Sequence, residues 1–153
     1  MSEFASPDDF PDDWDVRSAK LRDSFARQSL MTTLGAQIVE VVPGQVRIGF
    51  ERADHLLQQA GYLHAGVATA IADSACGYAA ISLQPADRDV LTIEFKTNFL
   101  RPASGERFEA HGKVIKPGRQ VLVCDGEVWE ISPKRQMIAK MLATMMVVPA
   151  QTV

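Results

Sequence analysis

The 153-residue chain has two cysteines, few aromatic residues (7%) and no uninterrupted apolar run of eighteen residues. Cys76 and Cys124 each sit in an apolar stretch, and neither has a partner at C-x-x-C or Cys/His spacing. That excludes a disulfide framework, gives no metal-binding pattern, and reads as two reduced core thiols. The lack of a long apolar run excludes a membrane span. Met1 to Asp15 has neither a basic nor an apolar region, so no signal peptide is expected and the cytoplasm is the expected compartment. Histidine is scarce too: His55, His64 and His111 stand alone, unpaired at helical or hairpin ligand spacing, so no metal is expected. A Walker loop, a G-x-G-x-x-G fingerprint and a G-x-S-x-G elbow are all missing, which removes the case for P-loop, Rossmann and α/β-hydrolase chemistry. Ser74 beside Asp73 does not make a triad.

What is present fits one globular domain, with 46% hydrophobic and 23% charged residues. A chain of this length buries roughly 68–70% of the surface its unfolded form exposes, enough for a core without metals or disulfides. The net charge of −3 is unevenly spread. Met1 to Asp15 holds six acids and no base, leaving sixteen bases against thirteen acids in the remainder. Such a body suits a polyanionic small molecule but lacks the dense basic face of a nucleic-acid binder. The acid cluster with Pro7 and Pro11 reads as a flexible tail over residues 1–17, followed by a single domain over 18–153.

From Ser18 to Thr33, Leu21, Phe25 and Leu30/Met31 share one helical face. Ile38 to Val42 and Gln45 to Arg52 read as two strands turning at Pro43-Gly44. His64 to Leu83 is apolar all round with one formal charge, Asp73, which predicts a buried helix ended by Pro85. Val90 to Leu100, Arg107 to Lys116 and Arg119 to Ile131 are extended runs. In the first, Leu91, Ile93, Phe95 and Phe99 oppose Thr92, Glu94, Lys96 and Asn98. Met137 to Val148 fits both a helix and a strand by periodicity. The order predicts an α+β domain, an antiparallel sheet packed on one central helix.

Chemistry concentrates on that helix. An unpaired buried carboxylate costs several kcal/mol in proteins, so Asp73 needs a role or a partner. At the helix start, Gly61-Tyr62-Leu63-His64-Ala65-Gly66 leaves backbone N–H groups without intrahelical acceptors, donors able to bind an oxyanion or a carbonyl. Asp73 lies nine residues beyond His64, roughly 13 Å along the axis, too far for both to reach one reacting atom. Two such helices packed antiparallel about a two-fold axis would bring Asp73 of one subunit to Ala65/Gly66 of the other, so a homodimer with two composite sites is expected.

At these residues the sequence resembles the hotdog-fold acyl-CoA thioesterases of the phenylacetate-degradation (PaaI-like) branch. There, a His-Gly-Gly helix start is followed by an Asp nine residues after the His; here it reads His64-Ala65-Gly66 and Asp73. The likeness extends through Leu34-Gly35, Gln58, Asp73-Ser74-Ala75-Cys76-Gly77, Phe99-Leu100-Arg101-Pro102-Ala103 and Lys116-Pro117-Gly118-Arg119, covering about Ser18 to Val148.

The resemblance implies a curved antiparallel sheet wrapped around a central helix, with the last segment a strand. It also implies dimers that pair into homotetramers. Asp73 would act as general base or nucleophile on the thioester. The Ala65 N–H would polarise the carbonyl, with alanine standing where the family has glycine. Gln58 would orient water or carbonyl, and His64 would hold the helix start. Gly66 would lie against substrate and Thr92 near the acyl group. Arg101, Lys116 and Arg119 would meet the CoA phosphates. No cofactor is needed, since coenzyme A is part of the substrate. Hotdog hydratases and dehydratases, and a non-catalytic acyl-CoA-binding hotdog protein, are the alternatives.

Overall fold

The computed structural model describes residues 11–151. It begins with helix α1 (Trp14–Ala26) and helix α2 (Ser29–Thr33), followed by the hairpin β1 (Gln37–Val42) and β2 (Gln45–Glu51). A short 3-10 turn leads to the central helix α3 (Ala65–Ile81). The strands β3 (Arg88–Phe99), β4 (Arg107–Lys116), β5 (Val121–Ser132) and β6 (Gln136–Pro149) complete the domain. All neighbouring strands are antiparallel, in the order β1-β2-β4-β5-β6-β3. The sheet wraps α3 in the hotdog arrangement. No described helix is long and apolar enough to cross a membrane.

α3 seats against the sheet because the sheet is notched for it. Gly112 of β4 and Gly126 of β5 are register partners. A Cβ at Gly112 would overlap the Ala75 carbonyl, and one at Gly126 would stand 3.0 Å from the Cys76 Sγ. Around the notch, Ile48, Phe108, Leu122, Met141 and Met145 from the strands close over Ile71, Ala75, Cys76 and Ala79 from the helix, all essentially inaccessible. Both cysteines are free and buried here. Burial raises both thiols, that of Cys124 to about 11. The Pro43-Gly44 turn is pinned to the far end of α3, where the Ser82 hydroxyl accepts the Gly44 N–H at 2.7 Å.

Four expectations are corrected. The first helix begins at Trp14 rather than Ser18. Asp13 pairs with Arg17 at 2.8 Å and Asp15 sits in the first turn, where carboxylates favour a helix start, so part of the acid cluster is helical. The rest of the 1–17 segment, residues 1–10, lies outside the described residues. The predicted single helix is two, because Gln28 is extended at φ −76° and ψ 94°. β5 begins at Val121, not Arg119.

Finally, α3 is not covered all round. Gly66, Ala70, Asp73 and Gly77 form a stripe that the single chain leaves at least partly open. The stripe runs beside β3, an edge strand carrying the exposed side chains of Ile93, Phe95 and Phe99. The ambiguous last segment is a strand, paired along its length with β3 and β5.

Candidate active site

His64 is the residue just before α3, at φ −65° and ψ 134°, and its Nδ1 accepts the Gly66 N–H at 2.9 Å. That fixes the neutral tautomer with its proton on Nε2. It also explains the glycine at 66, since a Cβ there would press on Nδ1 at 3.0 Å. The cap uses the Gly66 donor and leaves the Ala65 N–H, on an exposed residue, with no acceptor among the described residues. Alanine is accommodated at 65 because the first helical position has ordinary helical geometry.

The loop ahead of His64 is tied down at several points. Gln58 Oε1 accepts the Ala60 N–H at 2.7 Å, and the Gln58 backbone bonds to Tyr62 and Gly61. That bond takes one lone pair of the Gln58 oxygen and leaves its amide N–H donors, and the oxygen's second lone pair, available. The Leu63 N–H bonds the Ala103 carbonyl at 2.9 Å, and Arg52 reaches the Gly61 carbonyl at 2.7 Å. The segment bearing Arg101 is thereby held at the same end of α3 as Gln58, His64, Ala65 and Gly66. Arg101 itself donates to the Met137 carbonyl at 2.8 Å.

Asp73 lies halfway along α3. It is half-buried and accepts a hydrogen bond from the Thr92 hydroxyl at 2.8 Å. Burial pushes its carboxyl above the ordinary value, and the Thr92 bond pulls it back in part. Thr92 has a single hydroxyl proton, and the shorter contact commits it to Asp73 rather than to the Met145 sulfur at 3.4 Å. The structure therefore pairs Thr92 with the carboxylate, a contact the sequence reading did not include.

Strict alternation along β3 would also turn Thr92 the wrong way, with Glu94. The register shifts between Thr92 and Glu94, leaving Ile93 as an extra residue, so Thr92 opposes the inward Met145 while Glu94 opposes Thr144. Asp73 and Thr92 together edge a cleft of about 490 Å³ whose wall includes Arg27, Gln28, Ser74 and Tyr78. Ser74 donates to Gln28 Oε1 at 3.2 Å, and the Tyr78 and Ser24 hydroxyls share a bond of 3.2 Å. Of these wall residues the sequence singles out only Ser74, as part of the Asp73–Gly77 stretch, and gives it no role. They meet only because α1 folds back on α3, seating Phe25 edge-on against Tyr78 at 5.4 Å.

Lys116 and Arg119 are exposed on the β4–β5 turn, beside the end of β6 and the far end of α3. Within one chain the expected site residues thus form three groups along the helix. Gln58, His64, Ala65, Gly66 and Arg101 lie at its start, Asp73 and Thr92 at its middle, and Lys116 and Arg119 toward its end. The single chain does not bring them together.

A helix-start donor, a mid-helix carboxylate and a hotdog sheet invite comparison with known proteins. The family model described as "Thioesterase superfamily" matches residues 60–135, a span running from the loop before His64 past the end of β5. The chain is 32% identical over 103 residues to a 1,4-dihydroxy-2-naphthoyl-CoA hydrolase of Listeria monocytogenes, covering 67% of this chain and 79% of that protein. The crystal structure of a thioesterase family protein from Silicibacter pomeroyi superposes with a TM-score of 0.85 at 46% identity, over 88% of this chain and 99% of that one.

The chain belongs to the thioesterase superfamily.

The E. coli PaaI protein of the phenylacetic acid degradation operon also superposes, with a TM-score of 0.78 over 86% of this chain and 93% of that one. At 19% identity that likeness is one of fold.

Proposed function

We propose that this thioesterase-superfamily protein is a hydrolase of the PaaI-like kind, cleaving an acyl-CoA thioester to the free acid and CoA in the cytoplasm. The acyl group is aryl or short to medium chain. The observation that carries the reading is Asp73, a half-buried carboxylate held by Thr92 at the edge of a cleft. Asp73 serves as general base for water, or as the nucleophile itself. A backbone N–H takes the charge that develops on the carbonyl oxygen as the tetrahedral centre forms. The C–S bond then breaks, and CoA leaves as a thiolate that takes up the proton Asp73 drew from water. Where Asp73 is itself the nucleophile, water then hydrolyses the acyl–Asp73 mixed anhydride to the free acid and supplies that proton.

That N–H is Ala65's, and it comes from a second copy of the chain. The open stripe Gly66, Ala70, Asp73, Gly77 and the unpaired, apolar edge of β3 are both surfaces a single chain leaves uncovered, and both lie on the same side. Antiparallel pairing of two copies there sets the helix start of each against the middle of the other. Each site then combines Asp73, Thr92, Lys116 and Arg119 of one subunit with Ala65, Gln58 and Arg101 of its mate. Gln58, through its amide N–H donors, orients the thioester carbonyl or the water oxygen, and the three cations flank the CoA phosphates. His64 holds the helix start, and Gly66 borders the substrate. The dimers pair further into a homotetramer.

Thiol release from phenylacetyl-, benzoyl- and short to long aliphatic acyl-CoAs tests the reading, comparing wild type with Asp73→Ala at equal folded concentration. Release that collapses in the variant supports it. Stoichiometric acyl-CoA binding with no release overturns it in favour of a non-hydrolytic acyl-CoA binder.

A further inference from the structure

Alternation along β5 turns Leu122, Cys124, Gly126, Val128 and Glu130 to the buried side of the sheet, and the last of them is charged. Glu130 is 3% exposed, the one fully buried carboxylate among the described residues, and hydrolysis as proposed gives it no part. Its Oε2 accepts the Gly105 N–H at 2.9 Å and its Oε1 the Gln136 amide at 3.3 Å. Residue 105 has to be glycine for the first bond to form, because a Cβ there would overlap the Glu130 side chain and the Ser132 carbonyl. The same peptide unit is held on its other side, where Arg52 reaches the Ser104 carbonyl at 3.4 Å. A second nitrogen of Arg52 donates to the Gly61 carbonyl at 2.7 Å, and the Ala103 carbonyl accepts the Leu63 N–H at 2.9 Å. Two short hydrogen-bonded paths therefore run from Glu130 to the loop just before His64 and Ala65, one through Ala103 to Leu63 and one through Arg52 to Gly61.

We propose that Glu130 is a positioning residue for the oxyanion donor: by anchoring the 103–105 segment it fixes the loop that aims the Ala65 N–H. The inference rests on the thioesterase reading above and adds to that site a residue that does not touch substrate. The loop's other bonds, Gln58 with Tyr62 and His64 with Leu56, join residues within 56–64 and set only its internal shape. Its tie to the segment that β5 holds is the Leu63–Ala103 bond, reinforced by Arg52. Glu130 suits the role of anchor because it sits on a central strand and accepts through a carboxylate, a stronger acceptor than a carbonyl. Catalytic groups act only near their productive geometry, and a shift of about 1 Å costs on the order of a hundredfold. Loosening one of several ties should cost less, about tenfold.

The test compares Glu130→Met, which removes the acceptor, with Glu130→Gln, whose amide oxygen still takes the Gly105 N–H while Gln136 turns its own oxygen to the new amide. Each is made in the full chain, alone and combined with Ala65→Pro. The readouts are kcat for thiol release at equal folded concentration and amide hydrogen exchange at Leu63. Glu130→Met is expected to lower kcat about tenfold, and Glu130→Gln to restore it to within about threefold of wild type. In the Ala65→Pro background Glu130→Met should cost less than about twofold more, because the donor it acts through is already gone. Exchange at Leu63 should rise at least about tenfold while the core amides of Ile71 and Leu122 hold, whereas general loosening would raise all three. Losses that multiply in the double variant, or unchanged exchange at Leu63, overturn the inference. Should Glu130→Met not fold, Gly105→Ala pushes the segment off Glu130 from the other side and carries the same expectations. Faster Leu63 exchange in a protein that cleaves no thioester supports the Glu130 linkage and sinks hydrolysis. Thiol release indifferent to these variants does the opposite.

Discussion

Replacing Ala65 with proline would isolate the proposed oxyanion donor. Proline removes one atom of interest, the backbone N–H, and the site already meets its conformational demands. Residue 65 is the first position of α3, where proline's fixed φ matches the helix and its missing donor is normally not needed. His64 stands at φ −65° and ψ 134°, within the extended region required of a residue before proline. The His64 cap to the Gly66 N–H is untouched, and the Ala65 N–H has no protein acceptor to lose. Proline at a compatible position stabilises by about 0.4–1 kcal/mol through the unfolded chain. In a domain of this size that is a rise of roughly 1–4 °C in Tm.

Activity should move the other way. Loss of a single oxyanion donor costs about 10²–10³ in kcat, or about 2.7–4 kcal/mol of transition-state stabilisation. The Ala65→Pro variant is therefore expected to melt at or above the wild-type temperature, keep its oligomeric state by light scattering, and release thiol at least a hundredfold more slowly. Release within about threefold of wild type would refute the assignment of this N–H. A Tm lowered by several degrees would refute the claim that the donor is structurally idle.

Three further outcomes follow from the same geometry. Subunits of Ala65→Pro and Asp73→Asn, each inactive alone, should recover activity when unfolded together and reassembled, since each hybrid dimer contains one site with both native residues; random pairing predicts about a quarter of wild-type activity. No recovery would place both groups of a site in one chain. Thr92→Val removes the hydrogen bond that lowers the Asp73 carboxyl and leaves burial unopposed. The acid limb of kcat/KM, where Asp73 must be ionised to act, should therefore shift to higher pH; an unmoved or downward limb would detach Thr92 from the base. Because folding raises the Asp73 carboxyl above its unfolded value, the native state binds the extra proton, and stability declines as pH rises from the ordinary carboxylate value through the folded one. Asp73→Asn should consequently melt higher than wild type at neutral pH, with the gap closing under acid conditions; a lower Tm at neutral pH would contradict that sign.

The helix that carries the site is plain in the sequence because local signals agree there. An all-round apolar run, a small-residue start at Ala65-Gly66 and a stop at Pro85 point to one element, and Asp73 stands out as its only charge. The hairpin at Pro43-Gly44 is equally local. Where contacts are tertiary, the pattern is silent. Nothing in Ala26-Arg27-Gln28 breaks a helix by propensity, yet the chain turns there, and Gln28 meets Ser74 forty-six residues away. The run Met137 to Val148 satisfies both periods, and only pairing with β3 and β5 on its two sides makes it a strand.

The most consequential illegible feature is the register shift at Ile93. Period-two alternation puts Thr92 on the face of Glu94, away from the helix. One extra residue in an edge strand reverses that face and sends the hydroxyl to Asp73. A bulge has no obligatory residue type, so alternation alone cannot locate it. Yet the proposed base takes its hydrogen bond, and part of its acidity, from the residue beside this irregularity. Deleting Ile93 would remove the bulge and leave Thr92 opposite Met145 and Glu94 opposite Thr144 in plain alternation. The Thr92–Asp73 hydrogen bond and the acid limb of kcat/KM are therefore expected to stay as in wild type. A limb moved to higher pH would show that the bulge itself aims the hydroxyl.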